Sequence, residues 1–137
     1  MPFAKLMESL GVDALGVDSI VEGISLRKAG ITIPILVLGY TIPENIEIAA
    51  ANDIAITVSQ MEILQLLAER GSAHDTLRIH LKCDTGMHRQ GFMWGERERV
   101  LATTKVLPKN VLIEGVYTHF AEAKNPALPG ITRDQIA

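Results

Sequence analysis

Five short apolar, β-branched runs punctuate the chain at residues 14–17, 33–38, 54–58, 77–81 and 111–117, and the segments between them are spaced like helices. Strand alternating with helix in this way predicts a parallel sheet, because each crossover helix returns the chain to begin the next strand in the same direction. Three helix starts carry the same signal: Ser19-Ile20-Val21-Glu22, Thr41-Ile42-Pro43-Glu44 and Ser59-Gln60-Met61-Glu62. In that pattern a hydroxyl and a carboxylate satisfy the free amides of a first helical turn. Pro43 reinforces the second, since proline there gives up an amide that has no partner. The helix after Ser19 is expected to reach Lys28 and stop at Gly30, which accepts the left-handed geometry of a helix end. The helix after Ser59 carries one buried stripe of Met61, Leu64 and Leu67, with Ala68 alongside. Further helices are expected over residues 2–10, 96–107 and 132–137.

Two architectures fit this pattern. A doubly wound sheet of flavodoxin type is complete at 137 residues, whereas a full (β/α)8 barrel takes about 250. Length favours the first. The ends favour the second, because the chain opens on a helix with no strand before it and stops inside another, like an excerpt of a larger fold.

Composition removes several functions. A 47% hydrophobic chain is too apolar to be disordered, and one domain, residues 1–137, is the default at this length. Lys and Arg total 13 against 16 Asp and Glu, so the electrostatic footprint of a nucleic-acid or anionic-membrane partner is missing. No stretch approaches the roughly 18 consecutive apolar residues of a membrane span, and Lys5 and Glu8 interrupt the opening segment where a secretory signal needs an apolar core. A single cysteine, Cys83, excludes an internal disulfide and agrees with a reducing, cytoplasmic location.

The chemistry concentrates in two strand ends. Along 78–89 the alternation of a strand places His80, Lys82 and Asp84 on one face and Ile79, Leu81 and Cys83 on the other. Parallel strands buried on both faces read as continuously apolar, so this polar face needs a reason. It is either a solvated edge strand or the ligand-binding carboxyl end of a parallel sheet. The second cluster, Glu114-Gly115-Val116-Tyr117-Thr118-His119-Phe120, sets His119 beside Tyr117 at another strand's end. Strand ends of one parallel sheet open onto the same side. Arg89, just past the turn at Gly86, offers a planar fork of donors to a carboxylate or cofactor oxygen. His74, His80, His88 and His119 lack helical metal-ligand spacing, so no metal site is assigned. Cys83, facing away from Lys82, reads as a packed thiol, and Met87 and Trp94 as packing groups.

His80-Leu81-Lys82-Cys83-Asp84-Thr85-Gly86-Met87-His88-Arg89-Gln90-Gly91-Phe92 resembles the LKxDTGMxRxG signature of bacterial alanine racemases. Residues 115–121 resemble the family's GxxTHFA segment, and Glu22 to Gly30 and Pro34 to Gly39 resemble two upstream segments in the right order. The resemblance implies an α/β fold, a parallel (β/α) barrel of TIM type that is incomplete here: about five strand–helix units, the barrel's second to sixth strands. It implies pyridoxal 5′-phosphate as cofactor, alanine as substrate, a homodimer in the parent enzyme and D-alanine supply to the cell wall. By position, Arg89 matches the arginine at the cofactor's phenolic oxygen, which also helps to place the substrate carboxylate. Lys82 matches a lysine often found carbamylated, and His119 a histidine beside the cofactor ring.

The family's catalytic residues are not matched here. Its Schiff-base lysine lies on the first barrel strand, its opposite-face tyrosine comes from the partner subunit's β-rich domain, and Lys5 does not match the lysine's segment. The isolated chain is therefore expected to be inactive, with a non-catalytic interaction module or a flavodoxin-like ligand-binding domain as the alternatives. Two departures fall in the signature loop: His88 stands where the family usually has glycine, and Gln90 where an aliphatic residue is usual.

Overall fold

The computed structural model describes residues 2–73, 75–124, 127 and 129–137. His74, one of the four histidines weighed above, lies outside the described residues. In chain order the elements are α1 (Pro2–Ser9), β1 (Leu15–Val17), α2 (Ile20–Lys28), β2 (Ile35–Val37), α3 (Ile46–Ala51), β3 (Ala55–Val58) and α4 (Met61–Arg70). They continue with β4 (Leu77–Asp84), β5 (Phe92–Met93), α5 (Arg97–Thr104), β6 (Val111–Tyr117) and α6 (Pro129–Ile136). Single 3-10 turns at Pro43–Asn45 and Trp94–Glu96 lead into α3 and α5.

All strand pairs are parallel, and β1, β2, β3, β4 and β6 lie side by side in chain order. The order never reverses in mid-sheet, which removes the flavodoxin-like alternative, since a doubly wound sheet must turn back at a switch point. The winding is that of a (β/α) barrel left incomplete: among the described residues β1 and β6 do not pair with each other. β4 lies between β3 and β6, so the solvated-edge explanation of its polar face also falls.

Strand parity divides β4 cleanly. Leu77 and Ile79 are fully buried and Leu81 is nearly so, in one core with Ile56 and Val58 of β3 and Leu64 and Leu67 of α4. Arg78, His80, Lys82 and Asp84 take the other face. β4 outruns its expected end because β5 pairs with Cys83 and Asp84, extending the ladder through the polar residues. The two-residue β5 was not foreseen, and its brevity explains why.

One capping signal of the three forms as expected. Ser19 Oγ accepts from the Glu22 amide while Glu22 Oε2 accepts from the amides of Ser19 and Asp18, so α2 starts on a reciprocal cap. Gly30, with φ at 86°, ends it. At the second signal Ile42 takes the cap position, and the Thr41 hydroxyl is buried without a partner among the described residues. At the third, Gln60 takes the cap position, and the Ser59 hydroxyl is engaged by Gln90 instead. In both, the chain enters the helix one residue later than the motif implies. The expected helix at 96–107 shortens to α5, because Glu96 is used in the preceding turn, accepting the Met93 amide at 2.9 Å.

Long-range hydrogen bonds fasten the layers. Glu8 of α1 accepts from the backbone amides of Thr32 and Ile33 and from the Thr32 hydroxyl, docking α1 at the entry to β2. Those backbone bonds hold the Glu8 carboxyl below its ordinary value. Arg27, in the last turn of α2, donates to the carbonyls of Ile31, Ile33, Asn52 and Asp53 and so braces the loops before β2 and β3.

The two serine and threonine environments predict opposite outcomes in urea denaturation. Ser19→Ala is expected to cost about 1 kcal/mol through loss of the α2 cap. Thr41→Val removes a buried hydroxyl that has no partner and keeps the shape, so stability is expected to hold or rise; a loss as large as that of Ser19→Ala would refute this account of Thr41.

Candidate functional site

The site is built where β3, β4 and β6 end, and the loop from Thr85 to Gly91 makes it. Asp84 Oδ1 accepts from the amides of Gly86 at 2.9 Å and His88 at 3.0 Å, turning the chain back at the end of β4. Burial raises the Asp84 carboxyl, but those two amides and the nearby His88 outweigh it, and the group titrates below its ordinary value. The return is possible because Gly91, with φ at 139°, has no Cβ: one there would sit 2.5 Å from the Asp84 nitrogen. Phe92 then pairs with Cys83, and the loop lies folded over the β4 end.

Lys82 is 4% exposed, on the polar face of β4 beneath this loop. Its Nζ donates to Gln90 Oε1 at 3.2 Å and lies 5.7 Å from the centre of the Tyr117 ring. Tyr117 is its register partner on β6, and the phenol reaches across β4 to the Thr57 hydroxyl of β3 at 2.9 Å. Burial first, and then the Arg89 guanidinium, push the Lys82 amine below its ordinary value, with Asp84 opposing them. Arg89 itself is exposed and makes no hydrogen bond or ion pair among the described residues.

The end of β6 is fixed beside that of β4. Thr118 and Thr85 share a hydroxyl hydrogen bond of 2.7 Å. Gln135 of α6, 8% exposed, donates to the His119 carbonyl and to Thr85 while its oxygen accepts from the Ala121 amide. The peptide groups around His119 are thereby held, and its exposed side chain makes no hydrogen bond to Lys82 or Arg89. Thus Arg89 acts on Lys82 through its charge, with no hydrogen bond between them, and His119 follows the end of the adjacent strand.

Several contributors were not legible beforehand. Gln90 and Ser59 join Lys82 through side-chain contacts 8 and 31 residues apart in sequence, and Gln135 reaches Thr85 across 50. Only Thr57, polar within an apolar run, hinted at a role. His80 packs against Gly115, where a Cβ would meet its ring at 2.6 Å, and lies 3.8 Å from Glu114, at a distance from the mouth set by two residues of strand. Cys83 is half-buried, and burial pushes its thiol up, away from nucleophilic character. Trp94 is 78% exposed with the Arg97 guanidinium 4.8 Å over its ring, which corrects its reading as a packing group: the 3-10 turn lifts it off the core. Met87 is half-buried. Among the described residues no three His, Cys, Asp or Glu side chains converge on a metal, and no helix is long and apolar enough to cross a membrane.

Comparison with known proteins gives one consistent match. The family described as "Alanine racemase, N-terminal domain" matches residues 1–137. Curated relatives include the alanine racemase of Methanococcus maripaludis, 43% identical over 126 residues, covering 89% of this chain and 33% of that protein. Another is that of Carboxydothermus hydrogenoformans, 42% identical over 121 residues, covering 88% and 32%. Among solved structures, the alanine racemase of Clostridium difficile 630 is 37% identical with a TM-score of 0.88, over 98% of this chain and 36% of that one. The histidine racemase of Leuconostoc mesenteroides is 28% identical, also at 0.88, over 98% and 36%. The chain spans about a third of the length of the relatives it matches.

Two measurements check this site. His88 holds a left-handed backbone with φ at 52°, which costs a side-chain-bearing residue about 1 kcal/mol, so His88→Gly is expected to raise stability by up to that amount. For Lys82, the folded protein releases the proton before the unfolded chain does. Between the lowered folded-state value and the ordinary one near 10.5 the unfolded state binds more protons, so stability relative to Lys82→Met rises with pH across that window. A flat difference from neutral pH to pH 10.5 would contradict the burial of an ammonium here.

Proposed function

The chain belongs to the alanine racemase family through its N-terminal domain, and from that premise we propose that it forms part of the barrel of a pyridoxal-phosphate-dependent enzyme that interconverts L- and D-alanine. The observation that carries the proposal is the buried Lys82, held by Gln90 of the loop that carries Arg89 at the carboxyl ends of parallel strands, with the His119 strand end tied alongside by Thr85 and Thr118. Ligands of parallel barrels bind at that end. Relatives named for alanine racemase reach 43% identity, which supports alanine as the substrate.

The donor set fits part of a cofactor site. Arg89 carries a guanidinium uncommitted among the described residues, suited to an anionic ring oxygen or a substrate carboxylate. His119 offers an exposed imidazole on a clamped loop. Pyridoxal phosphate, when bound, supplies the electron sink that lets an α-proton leave an amino acid. Lys82 does not suit covalent attachment, because it is buried and held by Gln90, and Lys5 is exposed on α1. The acid and base that exchange the proton on opposite faces are therefore assigned to residues outside this set, one of them in a partner subunit of a homodimer.

The Arg89 guanidinium disfavours a second positive charge on the Lys82 nitrogen. Two adjacent cations repel, and conversion of the Lys82 amine to a carbamate relieves the clash. The neutral amine attacks carbon dioxide, a C–N bond forms as one C=O π pair moves onto oxygen, one N–H proton passes to water, and the new carboxylate is an anion that can pair with the guanidinium. The lowered proton affinity of Lys82 favours the neutral amine that this step consumes.

The purified chain with added pyridoxal phosphate is expected to form no D-alanine from L-alanine. Joined to the remaining segments of the Methanococcus maripaludis relative, it is expected to support racemization, and Arg89→Ala in that chimera to lower kcat/KM by about 100-fold or more, the order expected for losing one positioned donor. Equal activity with and without Arg89 would remove the proposal.

A further inference from the structure

The Lys82 nitrogen is held by a built polar chain that ends in the core. Gln90 Oε1 accepts from Lys82 Nζ at 3.2 Å, and Gln90 Nε2 donates to Ser59 Oγ at 3.1 Å. Ser59 is 5% exposed and Lys82 is 4% exposed, so neither end of the chain is solvated. An ammonium has donors only, which fixes the carboxamide with its oxygen toward Lys82. The Ser59 hydroxyl has both a donor and an acceptor, and it tolerates either end of the amide.

We infer that Gln90 is a positioning residue with two faces: its oxygen holds Lys82 as the ammonium, and a half-turn of the carboxamide presents its N–H groups to Lys82 once that nitrogen carries a carboxylate. In the turned state Ser59 donates its hydroxyl proton to Oε1, so no buried polar atom of the chain loses its partner. A carbamate lengthens the side chain toward the loop, where Gln90 supplies a donor that an aliphatic residue lacks. The second face rests on the carbamate reading of Lys82 given above; the first does not. The other charged or aromatic groups acting on the Lys82 nitrogen are Arg89 from the same loop, Asp84 from its own strand and Tyr117 from β6. The guanidinium only donates and the ionised carboxylate only accepts, while Tyr117 meets Lys82 through its ring and engages Thr57 with its hydroxyl, so the carboxamide is the group here that can present either a donor or an acceptor to Lys82.

The test uses the full 137-residue chain and two readouts that need no enzymatic activity. The Lys82 pKa is followed by NMR of the lysine ε-carbon, and the adduct by the carbamate carbon signal under 13C-labelled carbon dioxide. Gln90→Leu is expected to lower the Lys82 pKa by about one pH unit, since the ammonium loses its acceptor. The same substitution is expected to weaken the carbamate constant, corrected for that pKa, by about tenfold. Gln90→Glu should raise the pKa and abolish the adduct, because a carboxylate accepts but cannot donate. Ser59→Ala frees the outer end of the amide and is expected to shift both quantities in the direction of Gln90→Leu, by less. An unchanged pKa in Gln90→Leu overturns the first face, and an unchanged corrected carbamate constant overturns the second. If the wild-type chain forms no adduct at all, the carbamate reading fails and takes the second face with it, while the pKa comparison still decides the first. Thermal melts of each variant identify any that fail to fold, and Ser59→Ala then carries the comparison.

Discussion

A single carboxylate oxygen organises the site. Asp84 Oδ1 gathers the amides of Gly86 and His88, and this contact folds the loop back over the end of the strand from which Asp84 itself projects. Everything chemical depends on that return. It lays Gln90 against Lys82, sets Arg89 close enough to act on the lysine's charge, and delivers Phe92 to the side of Cys83. Gly91 supplies the close backbone approach the return needs, and His88 accepts a left-handed backbone to complete it.

A buried lysine beside an arginine is costly unless its nitrogen is provided for. Here the provisions are an amide oxygen, the face of a tyrosine and a carboxylate two residues along the same strand. Each is itself held: Gln90 by Ser59, Tyr117 by Thr57, Asp84 by the loop amides. The apolar face of β4 carries the packing that makes such an arrangement sustainable, with Leu77 and Ile79 sealed between sheet and helices. Burial on one face and polarity on the other are thus two consequences of one strand alternation.

Strand and helix alternation was legible along the chain because it depends on local spacing, and five of the six strands fall on the apolar runs that announced them. The helix caps were less legible. All three share the same four-residue pattern, yet Ser59 turns to Gln90 and Thr41 is buried unpaired, because a hydroxyl near a strand end has tertiary partners and surroundings that compete with its own helix. Trp94 misled for the same reason in reverse: its size suggests burial, but the turn that contains it stands outside the core.

The order of residues alone established a parallel α/β chain, the polar face of β4, and Lys82, Arg89 and His119 as the residues to watch, since periodicity and motif are properties of neighbours in sequence. Whether the sheet winds one way or reverses was decided only by which strands pair, β1 with β2, β2 with β3, β3 with β4 and β4 with β6, contacts between segments well separated along the chain. The same holds for the partners of Lys82. Side-chain hydrogen bonds act over about 3 Å in space whatever the separation along the chain, so Ser59, Gln90, Tyr117 and Gln135 acquired their parts only when the fold brought them together.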